Sequence, residues 1–138
     1  MQALTLIRPW CCAIAELGKV IENRSWSPSE AAMGQRIAIH AGRKWDETAL
    51  DFIRQASSLP PAETEAALDR ARNRDGAIVA TALLVRVVYE SSSPWFVGPR
   101  GWVLADVRPL AKPVPCRGAQ SLWTVPPDAA EAVLNQNG

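Results

Sequence analysis

The chain has 138 residues, 48% hydrophobic and 21% charged, with a net charge of +1. That size and balance predict one folded domain spanning residues 1–138, and they exclude a disordered chain or a polybasic nucleic-acid coat. Three cysteines, two of them adjacent at Cys11 and Cys12, suit neither a disulfide framework nor the CxxC spacing of a zinc site, so reduced, buried thiols are expected.

Residues 2–7 (QALTLI) read as a strand entering the core. Pro9 then suits the first turn of a helix, where a missing N–H does no harm. Trp10, Ile14 and Leu17 recur on one face of that helix, and Gly18 is a natural stop. Lys19 to Trp26 reads as extended, ended by Ser27-Pro28. Arg36 to Ala41 sets Ile37 and Ile39 against Ala38 and His40, as a half-buried strand does. Trp45 to Gln55 reads as a helix with Trp45, Ala49, Phe52 and Ile53 on one side. Pro60-Pro61 breaks it, and Ala62 to Arg74 forms a second, Ala-rich helix.

Asp75-Gly76 is a turn signal, and Ala77 to Tyr89 is the strongest strand, covered on both faces over most of its length. Ser91 to Gly101 is a Ser-, Pro- and Gly-rich loop carrying Trp95 and Phe96. Trp102 to Val107 is a further strand. Pro109, Pro113 and Pro115 make the next stretch an edge or a loop. A short helix starts near Pro127 and runs to the end. No repeat, linker or low-complexity tract interrupts this α+β order.

The longest apolar run, Ala77 to Val85, is far short of a membrane span, and Arg8, Pro9 and Glu16 spoil any signal-peptide pattern near the start. The expected location is therefore cytoplasmic. No Gly-rich phosphate loop, nucleophile elbow or metal motif occurs, so neither a cofactor nor a metal is expected. Charge is uneven: residues 1–44 carry +3, residues 45–75 carry −3 and residues 76–138 carry +1. A local basic face suits a small ligand or a short single strand better than a long duplex.

Six Trp against two Phe and one Tyr is a skewed aromatic set, and it fits core, interface or base-stacking platform alike. Gly18-Lys19-Val20-Ile21-Glu22-Asn23-Arg24 holds the densest chemistry. In an extended segment Glu22 and Arg24 point to one face, and Lys19 leans over it from the helix–strand junction. A carboxylate between two cations stays ionised and orients both, while a partly desolvated lysine loses pKa and gains basicity. Spacing alone fits either a polar ligand site or a surface ion-pair cluster.

The opening LTLIRPWCCAIAELGKVIENRSW resembles that of ASCH domains, including a GxKxxExR signature met by Gly18, Lys19, Glu22 and Arg24. IAIHAGRKW at 37–45, GAIVATALL at 76–84, WFVGPRGWVLADVRPL at 95–110 and LWTVP at 122–126 are also similar to bacterial members. The likeness spans nearly the whole chain and is least distinctive over 46–75. It implies a small, mixed PUA-like β-barrel with helices packed around it and a cleft beside the signature. It also implies a partner among RNA, single-stranded nucleic acid and nucleosides. Some ASCH proteins are ribonucleases, and a small branch deacetylates N4-acetylcytidine with the motif's Lys as key catalytic residue. That branch has Thr where this chain has Glu22, so the match carries over at Lys19 and departs at Glu22.

With the family pattern, Lys19, Glu22 and Arg24 become the candidate ligand-binding core, and Lys19 with Glu22 the catalytic candidates if the protein is an enzyme. Arg8 and Trp10 stand either at the opposite lip of the cleft or in helix capping and core. His40, the only histidine, is a ligand contact or a satisfied structural group. Lys44 suits a backbone phosphate or a solvated helix start, and Trp26 a stacked base. Trp95 sits in a mobile-looking loop, where exposed aromatics mark binding, or it plugs the barrel end. Trp102 and Trp123 are assigned to the core.

Three functions follow. A binding module grips a flipped or single-stranded base, with Trp26 or Trp95 stacking and Arg24 and Lys44 meeting phosphate. A metal-independent ribonuclease or amidohydrolase uses Lys19 as general base, with His40 or Glu22 in reach. A protein-interaction domain has no ligand.

Overall fold

The computed structural model describes residues 1–137. Six strands form one mixed sheet: β1 (Gln2–Arg8), β2 (Ile21–Arg24), β3 (Arg36–Trp45), β4 (Ala77–Val88), β5 (Arg100–Pro115) and β6 (Leu122–Thr124). Four α-helices accompany them: α1 (Trp10–Glu16), α2 (Leu50–Ala56), α3 (Pro61–Ala71) and α4 (Pro127–Asn137). Among the described residues no helix is long and apolar enough to cross a membrane.

The strand order is β2-β5-β4-β3-β1-β6, with β1 parallel to β3 and every other pair antiparallel. The α+β plan expected from sequence is present, but the barrel is not closed, because among the described residues no backbone ladder joins β2 to β1 or β6. The sheet curls nonetheless: Arg24 on β2 donates from Nη2 to the Thr5 carbonyl on β1 at 3.3 Å. One side chain spans the seam where a closed barrel would have a ladder.

Alternation along the strands sorts the core. Leu4, Leu6, Ile37, Ile39, Val79, Leu84 and Trp102 pack with Cys11, Cys12 and Ile14 of α1. The opposite side of α1 gives Ala13 and Leu17 to a second cluster with Leu50, Ile53, Ala67, Leu68 and Trp95. Helix α1 is therefore held between the sheet and the α2–α3 pair, which explains why both cysteines are buried. Ala3, Ala38, Ile78, Leu110 and Val114, from the other sheet face, pack with Ala129 and Val133 of α4.

One expectation changes here. Trp45 ends β3 instead of opening a helix. Asp46 accepts a hydrogen bond from the Thr48 N–H at 3.0 Å and caps a 3₁₀ turn, Glu47–Ala49, that leads into α2. Strand β5 continues through its three prolines, and that half is the edge expected of the stretch. Only Arg100 to Val103 pair with β2, whereas the β4 pairing extends from Gly101 to Pro115. The proline-bearing half thus has a strand on one side only, where prolines are tolerated. On this half the Gln136 side-chain amide accepts from the Lys112 N–H at 3.0 Å and donates to the Lys112 carbonyl at 2.8 Å.

Candidate functional site

The site grows from the junction of α1 and β2. Gly18 takes φ +80°, and a Cβ there would lie 2.5 Å from Ser58 Oγ, so both conformation and space require glycine. The turn delivers Lys19 inward, leaving it 2% exposed. Its ammonium donates to the Ile21 carbonyl and, at 3.0 Å, to Glu22 Oε1. The other carboxylate oxygen, Oε2, accepts from Arg24 Nε at 2.9 Å. Glu22 is buried, and each of its oxygens meets one cation.

Burial pushes the Lys19 pKa down from its usual value, and the Glu22 carboxylate opposes that shift without cancelling it. The trio therefore combines a loosely held ammonium proton with a fixed carboxylate acceptor and a guanidinium that has donors to spare. Trp10 stands beside it, with Lys19 Nζ 5.7 Å from its ring centroid and its indole N–H donating to Asp46 at 3.2 Å. A shallow depression of about 300 Å³ adjoins Lys19, lined also by Ile14, Gly18, Leu104 and Asp106. Neither Glu22 nor Arg24 lines it.

The other sequence candidates separate from this trio. Arg8 is buried and donates to four carbonyls: Gly42 at 3.0 Å, Arg43 at 2.8 Å, Ala71 at 3.2 Å and Arg72 at 2.7 Å. The β1–β3 register shifts between Leu6 and Arg8, which frees the β3 carbonyls, and α3 ends at Ala71. Arg8 thus fastens a strand irregularity to a helix C-terminus, instead of forming a ligand lip.

His40 is 2% exposed and fully engaged. Its Nε2 lies 2.8 Å from the Cys116 carbonyl, which can only accept, so Nε2 carries the hydrogen. Nδ1, 3.1 Å away, then accepts from the Thr5 hydroxyl, which itself accepts from the Trp123 indole N–H at 3.0 Å. Burial holds the imidazole below its ordinary pKa. This is the structural alternative for His40, in a network that includes neither Lys19 nor Glu22.

Trp95 corrects an expectation outright. It is 3% exposed and packs 6.1 Å from Phe52, because Asn23 fixes its loop by donating to the Trp95 carbonyl and accepting from the Val97 and Gly98 N–H groups. It cannot stack on a ligand base in this arrangement. Trp26 is half-buried edge-on to Trp102 at 4.8 Å, and its carbonyl accepts from the Trp102 indole. Lys44 is exposed near the end of β3. Trp102 is fully buried as expected, and Trp123 is half-buried.

Two further residues, absent from the sequence candidates, extend the trio: Arg100 stands opposite Arg24, and Tyr89 stands beside Arg100. Register pairs Arg24 with Arg100, and Glu22 with Trp102, so all four side chains share one face. Tyr89, 67% exposed, lies beneath the Arg100 guanidinium at 5.7 Å. In sequence Arg100 falls in the Ser-, Pro- and Gly-rich loop stretch, and its one signal is its place just before the Trp102 strand; in the fold it opens β5.

No family model matches the sequence, and no curated protein matches it. Solved structures do. The crystal structure of the ASCH protein from Zymomonas mobilis aligns with a TM-score of 0.60 at 14% identity, covering 97% of this chain and 93% of that one. A point mutant of the same protein aligns with a TM-score of 0.59 at 16% identity, covering 97% and 96%. The chain has the ASCH fold, as its sequence blocks implied.

Proposed function

We propose that the chain binds a nucleobase, presented by single-stranded RNA or as a nucleoside, at Lys19, Glu22 and Arg24. The observation that carries this reading is the buried Glu22 carboxylate held between Lys19 and Arg24. A fixed acceptor flanked by donors matches the hydrogen-bonding edge of a base, and Trp10 gives an aromatic wall beside Lys19. The likeness to an ASCH structure supports the same direction by analogy of fold.

A second reading rests on Lys19 alone. Its lowered pKa favours the neutral amine that a general base needs, which suits a metal-independent hydrolase acting on RNA or on an amide of a modified nucleoside. The two readings separate in one experiment. Isotope-labelled protein is titrated with cytidine, N4-acetylcytidine and a short single-stranded RNA, and ligand signals are followed for hours. Amide shifts centred on residues 18–26 with unchanged ligand support a reader. Product signals that vanish in Lys19→Ala support a hydrolase. Absence of shifts with every ligand overturns both and leaves a protein-interaction role.

A further inference from the structure

We infer that Arg100 and Arg24 together form a phosphate site beside Glu22, with Tyr89 as an aromatic platform, so that the ligand is a phosphorylated nucleotide and not a bare nucleoside. The inference builds on the nucleobase reading and names the ligand class more closely.

Two arginines directly opposite on neighbouring antiparallel strands repel one another, and Arg24 and Arg100 hold that relation across β2 and β5. The nearest carboxylate does not relieve it. Both oxygens of Glu22 are taken, one by Lys19 and one by Arg24. Arg100 therefore stands opposite Arg24 without an ion-pair partner of its own among the described residues. Glu90, next to Tyr89 in sequence, forms no ion pair with Arg100 among the described residues.

The donors of Arg100 give the site its direction. Nη1 donates to the Ser25 carbonyl at 2.7 Å. Nε is buried and meets no acceptor among the described residues, and Nη2 makes no hydrogen bond among them either. Nε and Nη2 form one edge of the guanidinium, the fork that a phosphate or carboxylate engages with two parallel bonds. A buried N–H without an acceptor is costly, so an anion met first by Nη2 would gain further if the guanidinium turned enough to bring Nε onto it as well.

Phosphate fits better than carboxylate because Arg24 also keeps donors free beyond those given to Glu22 and Thr5. A tetrahedral dianion can meet both guanidinium groups at once. Tyr89 then places an exposed ring at the end of the row Arg24–Arg100–Tyr89, where the ribose, or in a strand the neighbouring base, can rest. In an RNA strand the same geometry would hold the phosphate adjoining the bound base.

The test is calorimetric titration, at low salt, of the four ribonucleosides, their 5′- and 3′-monophosphates and inorganic phosphate. Wild type is compared with Arg100→Gln and Arg100→Lys, both checked for native amide dispersion. Monophosphates are expected to bind at least about tenfold more tightly than nucleosides, as a charge-assisted pair allows. Arg100→Gln should erase that difference, weakening monophosphates at least about tenfold more than nucleosides, and Arg100→Lys should restore only part of it. Equal affinity for nucleosides and monophosphates in wild type would overturn the inference, as would equal weakening of both by Arg100→Gln. Inorganic phosphate that binds wild type but not Arg100→Gln, with no nucleoside binding, keeps the phosphate site and removes the nucleobase reading. Failure of phosphate and every monophosphate removes the site.

Discussion

At Gly18 the backbone enters the left-handed region and passes Ser58 so closely that no Cβ fits. Gly18→Ala should therefore cost about 2 kcal/mol or more in urea unfolding, and it should disturb Lys19, whose direction the turn sets. His40 makes a prediction of a different kind. Its network is satisfied only by the neutral ring with hydrogen on Nε2, and burial keeps the folded pKa below the unfolded one. The unfolded chain thus takes up a proton more readily on acidification. Stability should be full above about pH 6.5 and decline as pH falls from there toward the folded pKa. Denaturation midpoints measured from pH 8 to 5 check this, and His40→Gln should flatten that dependence. The sequence made the Lys19–Glu22–Arg24 cluster legible because its spacing alone puts the trio within reach. Arg100 and Tyr89 were not legible, since their place depends on register between strands far apart in the chain.

Among the elements, local signals were read well where periodicity or a breaker decided the outcome, as in α1, α3 and β4. They were read poorly where tertiary contacts decided it. Trp45 has a helical face in sequence, yet it closes β3 beneath Arg72, whose guanidinium lies 4.3 Å from its ring. Trp95 sits among turn formers, yet Asn23 ties its loop down and the ring is buried. Arg8 joins three elements at once, so its loss should be felt at a distance. Arg8→Met leaves carbonyls of β3 and of the α3 C-terminus without their donor, and should destabilise the fold by about 3 kcal/mol. Amide exchange should rise most at residues 42–45 and 71–74, which distinguishes loss of this fastening from general weakening.

At the scale of the whole molecule, the near-neutral charge limits how a nucleic acid is held. A net +1 leaves little long-range attraction, so the strand contacts should be few and local. Affinity for a short single-stranded RNA should fall with salt at a logarithmic slope of only about −0.7 to −1.4, as for one or two phosphates. Fluorescence anisotropy from 50 to 300 mM salt measures it, and a much steeper slope would require an extended basic track. The α+β order was visible in the sequence, while the opening in the sheet was not, because nothing in a strand's own pattern says whether its far edge meets a partner.

The outer half of β5 has a consequence for how copies of this protein meet. Pro109, Pro113 and Pro115 have no N–H to offer, and Gln136 already occupies both backbone groups of Lys112. A foreign strand arriving there would find few bonds to make. The longest strand of the sheet is thus a poor template for edge-to-edge aggregation, although it lacks a second neighbour along most of its length.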